Sequence, residues 1–167
     1  MEYVKLYNDV KVPVLGIGTF MISPEDTEKS VYAALKGGYR MIDTANAYMN
    51  EEAVGKALAR AIQEGIVKRE DVFVSTKIWP TVYEDETAVE KTLKRLGLDY
   101  VDLLFIHQPS GDFVAGYRLI EKAYKEGKTR SLENKENLLE YQEEKPGVIN
   151  DDNVNDIIAA LRRKKGD

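Results

Sequence analysis

Three successive strand-like runs each end on a polar side chain that can do chemistry, and a tyrosine follows the first of them. Asp43 and Tyr48 stand in Y-R-M-I-D-T-A-N-A-Y, Lys77 in V-F-V-S-T-K-I-W, and His107 in V-D-L-L-F-I-H-Q-P. A phenol can give a proton, an ammonium beside it favours the phenolate, a carboxylate keeps the ammonium charged, and an imidazole can orient a substrate oxygen. A free phenol loses its proton only near pH 10, so the ammonium is what would bring it into working range. Together the four make a proton donor with its own activator and an imidazole that could act on one substrate.

Taken singly, each residue has a plainer reading. A lone histidine at a strand end is more often structural than catalytic, and Tyr48 is one of ten tyrosines. Asp43 and Lys77 could form a structural ion pair, and Trp79 is more often packing than ligand contact. The argument rests on the four occurring together on consecutive strand ends.

Those ends need elements to bring them together. Val4 to Tyr7 and Lys11 to Val14 alternate around Asn8-Asp9, which predicts a hairpin, and V-L-G-I-G-T-F reads as a strand. Ser23-Pro24-Glu25-Asp26 predicts a helix start, with Val31, Ala34 and Leu35 on one face and Gly37-Gly38 at the end. A strand over 39–43 follows, then a helix capped by Asn50 with a Val54, Leu58, Ile62 stripe, ending at Gly65. Val72 to Ile78 reads as a strand, 84–96 as a helix ending at Gly97, Val101 to Ile106 as a doubly buried strand, and about 112–126 as a helix ending at Gly127.

Asp43, Lys77 and His107 are 34 and 30 positions apart, the length of a strand-helix-strand unit. Repetition of that unit predicts an α/β fold with a parallel sheet, whose strand ends open on one face. A fifth strand is due after Lys128-Thr129-Arg130-Ser131-Leu132, but L-E-N-K-E-N-L-L-E-Y-Q-E-E has helical spacing, and a last helix is expected from Asn150 or Asp151 to Lys165. The division expected is therefore a half-barrel over 1–131 and a helical tail over 132–167 within one domain.

The 167 residues, 43% hydrophobic and 32% charged, suit one soluble globular domain. A net charge of -5 gives no reason to expect nucleic acid or an acidic membrane as partner. With no cysteine and one histidine, neither a disulfide nor a typical zinc site is expected. No leader-like or membrane-length apolar run is seen, so a cytoplasmic location is expected. G-I-G-T-F lacks the third glycine of a dinucleotide fingerprint. Arg162-Arg163-Lys164-Lys165 reads as the solvated end of a helix.

The segments L-G-I-G-T-F, D-T-A-N-A-Y-M-N-E-E-A-V-G, S-T-K-I-W-P and L-L-F-I-H-Q-P, in this order and spacing, resemble the aldo-keto reductase family over residues 3 to 131. The resemblance implies a partial (β/α)8 barrel of about four βα units behind an N-terminal hairpin; the two C-terminal helices are expected from the spacing of the tail, which does not match the family and is of unknown origin. It further implies NADPH-dependent reduction of aldehydes or ketones to alcohols. By position, Tyr48 would be the general acid, Lys77 its activator, Asp43 the partner of Lys77, and His107 the group that orients the carbonyl. Gly18, Thr19 and Phe20, with Asp43, would lie at the nicotinamide ribose, and Trp79 would wall the substrate pocket beside Tyr48 and His107.

The family's cofactor-phosphate segments, G-V-S-N-F near the fifth strand and I-P-K-S later, are not found in this sequence. Weak NADPH binding is therefore expected. The alternative reading is a truncated or engineered half-barrel that keeps the four residues and is catalytically inactive. Its edge strands, at 14–20 and 101–106, would leave an inner face with Ile17, Ile42 and Val74 open, to be covered by the tail or by a second copy in a homodimer that completes the barrel.

Overall fold

The computed structural model describes residues 2–132. A hairpin of β1 (Tyr3–Lys5) and β2 (Lys11–Pro13) pairs Tyr3 with Pro13 and Lys5 with Lys11. Four parallel strands follow, β3 (Ile17–Gly18), β4 (Met41–Asp43), β5 (Phe73–Ile78) and β6 (Leu103–Ile106), ordered β3-β4-β5-β6 as in the chain. The helices between and after them are α1 (Pro24–Lys36), α2 (Glu51–Gln63), α3 (Ala88–Leu96) and α4 (Phe113–Lys125). The order is that of half a (β/α)8 barrel, as the repeating unit predicts.

Local chemistry explains most boundaries. Ser23 caps α1 by accepting from the Asp26 N–H, with Pro24 at the first helical position. Asp112 caps α4 through the Ala115 N–H. After the helices the chain turns on Gly38, Gly65, Gly97 and Gly127, all at positive φ, where a side chain would be strained. The third helix starts at Ala88 rather than near 84, because Pro80–Val82 forms a separate 3-10 turn first.

The sheet has two different faces. On one, Ile42, Val74, Ile78, Leu104 and Ile106 pack against Val31, Leu35, Val54, Leu58, Leu93, Leu96 and Ile120 of the helices. On the other, Phe73 and Leu103 pack with Val12 of the hairpin, flanked by Met41 and Phe105. The expected inner-face set is thereby corrected: Ile42 and Val74 are fully buried under the helices, and Ile17 leans on the same cluster. The barrel-side residues are Met41, Phe73, Leu103 and Phe105, and the hairpin covers part of them.

Three further expectations change. Ile62 is about a third exposed and leaves the α2 stripe. Asn50 makes no capping bond to α2 and turns inward instead. Strand β6 is not a fully open edge: Leu104 bridges Leu132, and Val101 just before the strand bridges Thr129, both parallel. The helices expected in the tail lie outside the described residues.

Candidate active site

Alternation along the strands builds the site on the barrel side. On β5, Phe73, Ser75 and Lys77 face the same way, rising from the hairpin plug toward the C-terminal mouth; Met41 and Asp43 do so on β4. His107 follows β6 directly, and its N–H donates to the Ile78 carbonyl at 2.9 Å, continuing the ladder one residue past the strand.

Lys77 Nζ donates to Asp43 Oδ2 at 2.6 Å and to the Thr44 carbonyl at 3.0 Å. The same ammonium lies 5.2 Å from the centre of the Tyr48 ring. Tyr48 is carried by a 3-10 turn, Asn46–Tyr48, and meets His107 edge-on with ring centres 5.5 Å apart. Trp79 meets His107 from another side at 4.7 Å, and Phe20 tilts against Tyr48 at 5.0 Å. Asp43, Tyr48, Lys77, His107, Trp79 and Phe20 are thus one contiguous group.

Two asparagines hold the turn that carries Tyr48. Asn46 Oδ1 accepts the Trp79 N–H at 3.0 Å, tying the turn to the end of β5. Buried Asn50 donates to the carbonyls of Thr19 and Ile22 at 2.8 and 3.1 Å, tying it to the loop after β3. Thr19 is fully buried, its hydroxyl on Thr44 Oγ1 at 2.9 Å, so its side chain belongs to this knot and not to the mouth. Gly18 is exposed, and a methyl group built there would meet nothing within 4 Å.

His107 is held below the usual imidazole value of 6.5, first by burial and then by the Lys77 charge, with Asp43 opposing. It is therefore neutral at pH 7 and carries one ring proton. Among the described residues its buried Nδ1 has no hydrogen-bond partner. A ring proton on Nε2 would leave that Nδ1 as the acceptor of the ring.

Sequence reasoning missed Asn50, Asn46 and Ser75. Asn50 sits where an N-cap residue stands, and nothing local shows that its amide reaches 31 residues back to Thr19. Ser75 lies in an apolar run where a small hydroxyl carries no distinguishing signal.

Residues 14–133 match the Aldo/keto reductase family. The chain belongs to this family. It is 44% identical over 136 residues to glyoxal reductase of Bacillus subtilis, covering 78% of this chain and 48% of that enzyme. It is 51% identical over 106 residues to an aldehyde reductase of Saccharomyces cerevisiae, covering 63% of this chain and 33% of that protein. Among solved structures it resembles a Bombyx mori aldo-keto reductase in complex with NADP, at 33% identity and TM-score 0.73, over 78% of this chain and 49% of that one. The aldose reductase of Schistosoma japonicum is similar at 33% identity and TM-score 0.77, over 84% of this chain and 57% of that one. The chain spans about half the length of the glyoxal reductase and about a third of the aldehyde reductase. Among the described residues, no helix is long and apolar enough to cross a membrane.

Proposed function

We propose that this chain carries the reducing site of an NADPH-dependent carbonyl reductase acting on aldehydes or ketones. The observation that carries the reading is the convergence of Asp43, Tyr48, Lys77 and His107 on one strand mouth, with Lys77 on Asp43 at 2.6 Å and 5.2 Å from the Tyr48 ring. The relatives named for glyoxal and aldehyde reduction point to small aldehydes as first substrates.

The mouth fits the nicotinamide end of the cofactor: Gly18 leaves open space beside Asp43, and polar donors converge there. Gly18, Phe20 and Asp43 would border it, and when bound it supplies the hydride. The chain's own groups do the rest. Nε2 of His107 orients the carbonyl oxygen by donating to it. As the carbonyl carbon is reduced, charge builds on that oxygen, and Tyr48 gives it the phenolic proton. Lys77 stabilises the phenolate left behind, and Asp43 keeps Lys77 charged. Trp79 and Phe20 wall the mouth and limit water.

A second reading is favoured by one observation, that the family's phosphate-gripping motifs are not found in this sequence. On that reading the chain alone keeps the four residues but turns over little or nothing. A second copy of the chain is the partner we infer, pairing along β3, whose outer side is unpaired among the described residues and is flanked by exposed Val14, Leu15 and Phe20. NADPH oxidation in the presence of a small aldehyde separates the two readings. Aldehyde-dependent turnover abolished by Tyr48→Phe supports the enzyme. Its absence at saturating cofactor leaves the inactive half-barrel.

A further inference from the structure

We infer that Ser75 is a positioning residue of this site, fixing the Asp43 carboxylate so that Lys77 is held toward Tyr48. The consequence for turnover rests on the carbonyl-reductase reading; the positioning does not.

Ser75 stands directly opposite Asp43 in the β4–β5 register, and Lys77 lies two residues on, facing the same side. Its hydroxyl donates to Asp43 Oδ1 at 2.6 Å. The Ile42 carbonyl is the competing acceptor at 3.5 Å, the limit of a hydrogen bond, so the single hydroxyl proton goes to Asp43. The next residue, Thr76, faces the helix layer and donates to Glu51 at 2.9 Å, so the two neighbouring hydroxyls serve opposite sides of the sheet.

Asp43 therefore has one donor on each oxygen, Ser75 on Oδ1 and Lys77 on Oδ2. Two charge-assisted bonds fix the plane of a carboxylate where one would leave it free to turn. The restraint matters because the Asp43 side chain is 35% exposed, enough for water to compete for an unheld oxygen, whereas Ser75 is fully buried and cannot be displaced. Lys77 uses two of its three N–H groups on Asp43 and the Thr44 carbonyl, leaving the third for the mouth. If the carboxylate turns, the ammonium follows it or loses its partner, and its place beside Tyr48 is lost.

The test is the ammonium spectrum of the chain labelled with nitrogen-15 at lysine, with Lys77 assigned by its disappearance in Lys77→Met. Lys77, hydrogen-bonded with a side chain only 19% exposed, should give a slowly exchanging signal. In Ser75→Ala, with the fold verified by circular dichroism, that exchange should quicken roughly tenfold or broaden the signal away, as expected for losing one charge-assisted bond. Ser75→Thr, which keeps the hydroxyl, should restore it. Unchanged Lys77 exchange in folded Ser75→Ala overturns the assignment. Should Ser75→Ala fail to fold, the unmodified chain decides: a protected Ser75 hydroxyl proton close to Asp43 supports the inference, and a freely exchanging one overturns it. Where turnover is measurable, Ser75→Ala should lower kcat with KM little changed, and Ser75→Thr should recover it; an unaltered kcat counts against the role. A chain without any turnover rejects the reductase reading while the lysine spectrum still decides Ser75.

Discussion

At the scale of single residues, His107 offers the most direct measurement, because it is the only histidine in the chain. Its imidazole should titrate below 6.5 by proton NMR, and Lys77→Met should move it upward, since the Lys77 charge is one of the two causes that lower it. The sign for stability follows. Between the folded midpoint and 6.5 the unfolded chain binds the proton more readily, so this contribution is present above 6.5 and is lost as pH falls through the folded midpoint. Tyr48→Phe removes only a hydroxyl and should leave the fold intact. Any aldehyde reduction should fall by roughly 100- to 10,000-fold, the usual worth of a placed general acid, and full retention would remove Tyr48 from that role. Asp43, Lys77 and His107 were legible because each ends an apolar run, where polarity is conspicuous. Ser75 and Asn50 were not, because their meaning lies in partners on other strands.

At the scale of elements, the four helices were legible from their closing glycines, and α1 also from its Ser23 cap, whereas the Asn50 cap expected for α2 is not made. The facing of the strands was not. In a parallel sheet covered on both sides, apolar residues occupy both faces and no alternation shows which is which. Only the contacts assign Ile42 and Val74 to the helix layer and Met41 and Phe73 to the barrel side. Close approach of helices is equally hidden. Gly55 in α2 lies where a methyl group would sit 2.3 Å from the Leu96 carbonyl oxygen ending α3, and backbone cannot yield as a side chain can. Gly55→Ala should destabilise by about 1–3 kcal/mol or more in urea unfolding. An unchanged midpoint would show that the two helices are not so close. Beside them, Glu51 of α2 is buried and accepts from Nε of Arg95 of α3 at 2.8 Å, with its carboxyl pushed up by burial against the pull of Arg95. Arg95→Ala should cost about 3 kcal/mol at neutral pH, because it strands a buried carboxylate. The cost should shrink as pH falls and Glu51 takes up a proton.

At the scale of the whole molecule, the repeat of strand and helix read correctly as half a (β/α)8 barrel. Past β6, Thr129 and Leu132 form isolated parallel bridges with Val101 and Leu104, and the segment expected to be helical after Leu132 lies outside the described residues. Pairing along the remaining edge at β3 should make apparent mass rise with concentration in light scattering, and a strictly monomeric mass across micromolar concentrations would exclude the homodimer.

Cofactor affinity decides how much of the site's chemistry this chain performs alone. On the carbonyl-reductase reading the mouth borders a nicotinamide, but charge-assisted contacts to phosphate are the strongest part of such a grip. The motifs that resemblance to the family assigns to those contacts are not found in the sequence. A second copy would not restore them, since it brings the same units. Losing a few charged contacts at about 1.5–3 kcal/mol each lowers affinity by several powers of ten. Fluorescence titration should therefore give NADPH dissociation constants on the order of hundreds of micromolar or weaker. Low-micromolar binding by this chain would overturn that expectation and would mean that basic groups outside the family's motifs hold the phosphates.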